Sequence, residues 1–177
     1  MRILVHRSQV ELLEGDIVAQ DVDALVNAAN SSLLGGGGVD GAIHRAAGPE
    51  LLTECRTLGG CPTGEARLTR GYQLQARFVI HAVGPVYRGH PREAELLAAA
   101  HHSSLELASR HQIRSLAFPA ISTGAYGYPL DQAAQVALQT VKRYLEAHPE
   151  IELVRFVLWG ERALTAYQDA AQRILGA

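Results

Sequence analysis

The chain carries Leu33-Leu34-Gly35-Gly36-Gly37-Gly38-Val39-Asp40-Gly41 shortly after an apolar segment that ends in Val26-Asn27-Ala28-Ala29-Asn30. Four successive glycines let a ligand approach the backbone N–H groups closely, and each glycine adopts positive φ freely. An Asp follows them, in place of the Lys and Ser/Thr of a nucleoside-triphosphate loop. The stretch therefore predicts a phosphate-binding loop with a carboxylate beside it.

Outward from this loop, short apolar runs alternate with longer Ala-rich segments, a pattern typical of an α/β fold. The apolar runs are nearly continuous, as expected for strands covered on both faces. Strands are predicted over residues 1–6, 24–26, 78–83, 115–118 and 153–158, with one more ending just before Asp16. Helices are predicted over residues 41–47, 92–110, 131–147 and 161–175. The structural interpretation of Asp40 is the N-cap of the first helix, a role that does not exclude a catalytic one.

Polar or glycine-rich residues follow four of the apolar runs. They are Asn27 and Asn30, Gly84-Pro85, the second glycine loop Ser122-Thr123-Gly124-Ala125-Tyr126-Gly127, and Trp159-Gly160. Ligands of such sheets bind at the carboxyl ends of the strands, where these residues fall. Both glycine loops also precede predicted helices, whose first N–H groups and dipole favour an anion. We therefore predict that the two loops enclose a diphosphate.

Asn30 and Asp40 are the candidate catalytic residues of this site. An Asn orients a sugar hydroxyl, and a carboxylate holds a water or stabilises positive charge at an anomeric carbon. No partner acid for a two-carboxylate glycosidase is evident, and an ordinary Asp, with a pKa of about 3.9, is a weak base near neutrality. We expect Asp40 to position water and sugar, with the substrate's own phosphate as a candidate proton acceptor. Asn27 is predicted to tie the loop to the sheet.

Three further residues have two interpretations each. Asp16 either accepts the amino group of an adenine or bonds to its own backbone in a turn, which is the commoner role of a Gly-Asp pair. Tyr126 and Trp159 either pack on a sugar and on a purine face or belong to the core and its rim. The residues alone favour the turn for Asp16 and leave the two aromatic residues open.

Composition limits the other classes of function. The chain has 177 residues, 47% of them hydrophobic, which is enough for one domain over residues 1–177. A formal net charge of −2, without a run of basic residues, argues against nucleic-acid binding. No apolar stretch approaches the roughly 20 residues of a membrane span. Residues 1–6 are predicted as a strand and not as a signal peptide, so we expect a cytoplasmic protein without a membrane partner.

Other catalytic chemistries find little support. Cys55 and Cys61 are expected to be reduced and structurally minor. The eight histidines lack the spacing of zinc ligands, so neither a metal nor a cofactor is predicted. Ser122 lies outside a G-x-S-x-G nucleophile elbow.

Several segments share one order and spacing with a known family. They are Gly15-Asp16-Ile17, Val22 to Asn30, Leu33 to Gly41, Ile43 to Pro49, Thr63 to Ala66, Val79 to Pro85 and Ala117 to Gly124. Over about residues 15 to 170 the chain resembles the macro domain. Its glycine loop is similar to that of the MacroD-type branch, which includes ADP-ribose hydrolases and bacterial O-acetyl-ADP-ribose deacetylases. The extra Cys and His ligands of the zinc-containing macro branch are not found.

This resemblance implies a three-layer α/β/α sandwich around a mixed sheet of about six strands, with ADP-ribose across its carboxyl edge. Asp16 would hold the adenine amino group with Ile17 alongside, while Asn30 and Asp40 would address the distal ribose and the scissile bond. The other ligand-binding residues would be Asn27, Gly37, Gly38, Val39, Ser122, Thr123, Gly124, Ala125, Tyr126 and Trp159.

The resemblance also implies an ADP-ribosyl hydrolase that cleaves esters at the distal ribose. It would release acetate from O-acetyl-ADP-ribose, and ADP-ribose from mono-ADP-ribosylated Asp and Glu side chains of proteins. Two alternatives remain: a binding module that reads ADP-ribose without turnover, and an ADP-ribose 1″-phosphatase. The lack of an appended domain favours a free-standing enzyme.

Overall fold

A computed structural model describes residues 1–176; Ala177, the last residue of the predicted domain, lies outside the described part. Seven strands form one sheet that helices cover. The strands are β1 (Arg2–Val5), β2 (Ser8–Glu14), β3 (Ala24–Ala29), β4 (Ala66–Arg70), β5 (Phe78–Val83), β6 (Ser115–Phe118) and β7 (Leu153–Leu158). The helices are α1 (Gly38–Ala47), α2 (Pro49–Arg56), α3 (Arg92–Arg110), α4 (Leu130–Ala147) and α5 (Glu161–Leu175).

The sheet is mixed, with the strand order β1-β2-β7-β6-β3-β5-β4. The five central strands are parallel, whereas the edge strands β1 and β4 run antiparallel to their neighbours. All five central strands therefore end at the same edge of the sheet.

Two core layers lie on opposite faces of the sheet. One contains residues of α3, α4 and α5, and the other contains residues of α1 and α2. Successive side chains of a strand point to opposite faces, so Val26 and Ile80 enter the first layer, while Leu25 and Val79 enter the second. This arrangement confirms the predicted three-layer sandwich.

The apolar runs predicted β5, β6 and β7 with the bounds that the structure has, and the predictions of α3 and α5 are also confirmed. The predicted strand over residues 24–26 is too short, because β3 continues through Asn27 to Ala29. The sheet has seven strands in place of about six, because β4 was not predicted. This edge strand carries Arg67 and Arg70 and has no continuous apolar run.

Candidate functional site

The carboxyl edge of the sheet presents the predicted site residues in a row. From β2 through β7, β6 and β3 to β5, the strands lead into Asp16, Trp159, the loop 122–127, Asn30 and Gly84. Neighbouring strands are about 4.8 Å apart, so the row spans roughly 14 Å between the ends of β2 and β3. The arrangement suits an elongated ligand with chemically different ends.

The glycine run leads directly into α1. Gly37 is the N-cap, and Gly38 begins the helix with a φ of 56°. The prediction that Asp40 is the N-cap is therefore wrong: Asp40 lies in the first helical turn. A glycine start lacks the Ser, Thr, Asp or Asn that normally signals an N-cap. Within residues 1–176, the N–H groups from Gly36 to Asp40 have no acceptor, so they are free to bind an anion.

The carboxylate of Asp40 is buried and held on one side only. Its Oδ1 accepts a hydrogen bond from Asn27 Nδ2 at 2.8 Å and lies 3.4 Å from His44 Nε2. Its Oδ2 lies 3.2 Å from the point that a Cβ on Gly36 would occupy, and Asn30 Nδ2 lies 3.5 Å from the same point. The two predicted catalytic side chains therefore converge beside a residue that has no side chain of its own.

Asn30 also shapes the loop. Its Nδ2 donates to Gly35 O at 3.0 Å, and its Oδ1 accepts from Ser32 N at 3.1 Å and from Ser32 Oγ at 2.5 Å. At the far end of the loop, Gly41 approaches Gly36 so closely that a Cβ would lie 2.6 Å from Gly36 O. The loop is thus fixed by one amide and by one close backbone approach.

Asn27 is fully buried and lies behind Asp40. Its Nδ2 contacts both Asp40 Oδ1 and, at 3.2 Å, His81 Nδ1. His81 is also fully buried, and its Nε2 lies 2.9 Å from Thr69 Oγ1. Burial lowers the pKa of His81 to about 3, so its ring is neutral at physiological pH.

The sequence patterns did not predict three residues: His44, which lies beside Asp40, and His81 and Thr69, which extend the contacts of Asn27. His44 could have been found, because residues four apart share one face of a helix. His81 and Thr69 come from β5 and β4, and only the strand register shows that His81 lies opposite Asn27. No local pattern carries that information.

The second glycine loop also offers free N–H groups. Ser122 has a φ of 68°, and its buried Oγ has no partner in the described part of the chain. Thr123 Oγ1 donates to Ala120 O at 2.7 Å. The N–H groups of Gly124, Ala125 and Tyr126 have no acceptor among the described residues. Because β6 and β3 are adjacent and parallel, this loop lies beside the first one.

The other end of the row is open to solvent. Asp16 Oδ1 accepts from Val18 N at 3.1 Å and begins a short 3-10 helix, so the turn interpretation describes one of its two oxygens. Trp159 is 85% exposed and is not a core residue. A shallow cavity of about 330 Å³ lies against Glu14, Gly15, Trp159 and Gly160.

A larger cavity of about 410 Å³ lies between the first loop and the end of α2. Its lining residues are Ser31, Ser32, Leu34, Cys55, Arg56, Gly59 and Gly60. Cys55 is a free thiol, and burial raises its pKa to about 11, so it is not a thiolate nucleophile at neutral pH. Cys61 is free and buried as well.

Among residues 1–176, no group of three or more His, Cys, Asp or Glu side chains is arranged to hold a metal ion. None of the helices in this range combines the length and the apolar character that crossing a membrane requires.

The fold and the site together define an α/β domain whose carboxyl edge carries two loops with free N–H groups. A model of the Macro domain family matches residues 26–137, and the chain belongs to this family. The resemblance seen in the sequence is therefore confirmed.

Curated relatives and solved structures agree with this assignment. A macro domain-containing protein of Methanosarcina mazei is 52% identical over 99% of this chain and 94% of its own length. The ADP-ribose glycohydrolase MACROD2 of Xenopus laevis is 55% identical over 90% of this chain, which spans only 39% of that protein. A variant of the Oceanobacillus iheyensis macrodomain, solved with ADP-ribose, superposes with a TM-score of 0.95 at 43% identity, covering 100% of this chain and 99% of its own.

Proposed function

We propose that the protein is an ADP-ribosyl hydrolase that cleaves ester bonds at the distal ribose. Its substrates would be O-acetyl-ADP-ribose and proteins that carry mono-ADP-ribose on Asp or Glu side chains. One observation carries the proposal: Asp40 Oδ2 and Asn30 Nδ2 converge beside Gly36, within the first of two loops that have free N–H groups. Relatives named as an ADP-ribose glycohydrolase and solved with ADP-ribose support the substrate class.

Each part of the ligand has a proposed partner. Asp16 and Ile17 bind the adenine, with Trp159 on its face, and Tyr126 packs against the distal ribose. The two loops bind the diphosphate through free N–H groups, which a helix dipole assists at the start of α1. The proposed diphosphate-binding residues are Gly37, Gly38, Val39, Ser122, Thr123, Gly124 and Ala125. Thr123 donates its N–H to Ala120 O, so it would contribute by shaping the loop.

The proposed reaction is the addition of water to the ester. The water oxygen bonds to the acyl carbon, the bond between that carbon and the ribose oxygen breaks, and the ribose oxygen takes up a proton. The products are a carboxylate and ADP-ribose. Asp40 Oδ2 orients the water and Asn30 orients a ribose hydroxyl, so both groups contribute mainly by positioning. The acceptor of the proton that the water loses is Asp40 or the bound diphosphate. The two routes predict different residual activities for Asp40→Asn.

The test is turnover by the wild-type protein with EDTA present. The substrates are O-acetyl-ADP-ribose, a protein mono-ADP-ribosylated on Glu, and ADP-ribose 1″-phosphate, with ADP-ribose affinity measured by calorimetry. We expect both esters to be cleaved, with Asp40→Ala as the inactive reference.

Other outcomes would lead to other functions. Tight ADP-ribose binding without any turnover would make the protein a binding module. Phosphate release that exceeds ester cleavage would make it a 1″-phosphatase. Turnover that EDTA abolishes would contradict a metal-free reaction. The cytoplasmic location stays a prediction, which fractionation of the source cells would test.

A further inference from the structure

Two polar residues occupy positions that strand alternation assigns to the core. The residues two positions before and after Asn27 on β3, and likewise His81 on β5, belong to the apolar layer under α1 and α2. Asn27 and His81 are fully buried, and the strand register places them directly opposite each other. A buried polar group without a hydrogen-bond partner destabilises the folded state. Both side chains therefore need polar partners inside the layer.

Those partners form a path of hydrogen bonds that ends at Asp40. Asn27 Nδ2 has two hydrogens: one is donated to Asp40 Oδ1 at 2.8 Å and the other to His81 Nδ1 at 3.2 Å. Because Nδ1 accepts, the ring proton of His81 lies on Nε2, which donates to Thr69 Oγ1 at 2.9 Å. The Thr69 hydroxyl in turn donates to Arg70 O at 3.2 Å. The path crosses β4, β5 and β3 before it reaches α1.

The path permits one orientation of each side chain. If the amide of Asn27 turned over, its Oδ1 would face the carboxylate of Asp40, and two acceptors would meet without a hydrogen between them. If His81 were protonated on Nδ1, that N–H would face the N–H of Asn27, and two donors would meet without an acceptor. Burial, together with His44 at a ring-centroid distance of 6.3 Å, keeps His81 neutral. Cys55 Sγ, 3.8 Å from His81 Nε2, adds no charge.

We propose that Thr69, His81 and Asn27 form a positioning chain that fixes the carboxylate of Asp40 for the hydrolysis proposed above. The chain holds Oδ1 from behind, so that Oδ2 alone faces the space beside Gly36. Its strands, β3, β5 and β4, lie at the opposite side of the sheet from β2 and β7, where the adenine is proposed to bind. Apart from its own member Asn27, the chain contacts none of the proposed ligand-binding residues. Its loss should therefore reduce turnover and spare affinity.

The test compares one substitution at His81 with two substitutions at Thr69, which lies farther from Asp40. His81→Phe removes both ring nitrogens. We expect kcat to fall about 10- to 100-fold, which is the usual effect of losing a supporting hydrogen bond or of displacing a reacting group by about 1 Å. Thr69→Val removes only the hydroxyl and should lower kcat roughly fivefold, since one neutral hydrogen bond contributes about 1 kcal/mol. Thr69→Ser keeps the hydroxyl and should restore most of the activity. The Kd for ADP-ribose should change less than about twofold in all three variants.

A destabilised control separates positioning from folding. Leu105→Ala creates a cavity in the opposite core layer and should lower Tm while leaving kcat unchanged at a temperature well below Tm. The proposal is overturned if His81→Phe keeps the wild-type kcat. It is also overturned if His81→Phe and Leu105→Ala lose the same amount of kcat for the same decrease in Tm. If His81→Phe does not fold, the contrast between Thr69→Val and Thr69→Ser decides.

Failure of the proposed function has a different signature. Wild-type protein would then lack turnover with every ester, whatever the variants do. In that case crystal structures of the wild type and Thr69→Val decide the question of positioning. A shifted Asp40 carboxylate in the variant would support the chain, and an identical position in both would overturn it.

Discussion

The two ends of the carboxyl edge are constructed in opposite ways. At the end of β3, Asp40 and Asn27 are buried and joined by a hydrogen bond, and further hydrogen bonds extend from Asn27 across two more strands. At the ends of β2 and β7, Asp16 and Trp159 are exposed. Among described residues, the Asp16 side chain makes only a local bond, to Val18 N.

Under the proposed function, the two ends have different tasks. A reacting group must keep its geometry to within a fraction of an ångström, and burial with several partners provides that. A group that only recognises one end of a ligand tolerates rotamer freedom and can remain in solvent. We therefore expect substitutions at the two ends to separate turnover from affinity.

The largest effect is expected for Asp40→Ala. Removing a preorganised group that acts on the reacting atoms lowers kcat by about 100-fold or more. The Kd for ADP-ribose should stay within about threefold, because the proposed function assigns the carboxylate to the reacting water and not to the diphosphate. Single-turnover assays and calorimetry on the same preparation measure both quantities. A kcat close to that of wild type would remove Asp40 from the chemistry.

Asp40→Asn sharpens this result. The amide keeps the size of the carboxylate but not its charge. If the bound diphosphate accepts the proton, Asp40→Asn should retain clearly more activity than Asp40→Ala. Equal losses in the two variants would assign proton acceptance to Asp40.

The next largest effect is expected for Asp16→Ala, on affinity. A hydrogen bond to a charged group contributes about 1.5–3 kcal/mol, so the Kd for ADP-ribose should rise roughly 10- to 150-fold. At saturating substrate, kcat should change little. Asp16→Asn is the matched control, since its side-chain oxygen still caps the 3-10 helix at Val18. A fall in kcat with unchanged Kd would contradict the division between the two ends.

A smaller loss of affinity is expected for Trp159→Ala. Aromatic stacking contributes about 0.5–1.5 kcal/mol beyond area burial, so the Kd should rise roughly 2- to 12-fold. Trp159→Phe should recover part of the loss. Because the side chain is 85% exposed, Tm should not change. An unchanged Kd in Trp159→Ala would leave the indole without a role in binding.

The smallest effect concerns stability in acid. Burial lowers the pKa of His101 to about 4 and that of His81 to about 3, against about 6.5 in an unfolded chain. Below pH 6.5 the unfolded state binds protons that the folded state does not. The free energy of unfolding therefore decreases as the pH is lowered. The expected slope is about 1.4 kcal/mol per pH unit for each histidine, down to its own folded pKa.

Urea unfolding at pH 7, 6 and 5 measures this slope. His101→Leu should make it shallower by the contribution of one histidine. His102→Gln, at the exposed neighbouring position, is the control and should change the slope much less. A slope unaffected by His101→Leu would show that this imidazole is not buried in its neutral form.

Much of the fold could be predicted from local patterns. Near-continuous apolar runs predicted β5, β6 and β7 because strands covered on both faces exclude polar residues. The same rule failed at β3, where Asn27 suggested an end, since a buried Asn with partners on other strands looks in sequence like an exposed one. It also failed at β4, an edge strand with arginines.

The site was predictable in the same uneven way. Asn30, Asp40 and both glycine loops lie close together in sequence or directly after strands, so their association followed from the topology of a parallel sheet. The contacts of Asp40 with Asn27 and, beyond it, of His81 with Thr69 depend on strand register and on helix placement. Such contacts are non-local and have no signature in one sequence.

The buried pair of Asn27 and His81 bears on how this sequence would respond to selection. Replacing buried polar partners together by apolar side chains of similar volume is often neutral or stabilising. A library of this chain screened for heat resistance alone is therefore expected to accumulate joint apolar replacements at both positions. The survivors would still bind ADP-ribose but would hydrolyse its esters slowly. Selection for catalysis, and not for folding, would then be what retains the amide and the imidazole inside the sheet.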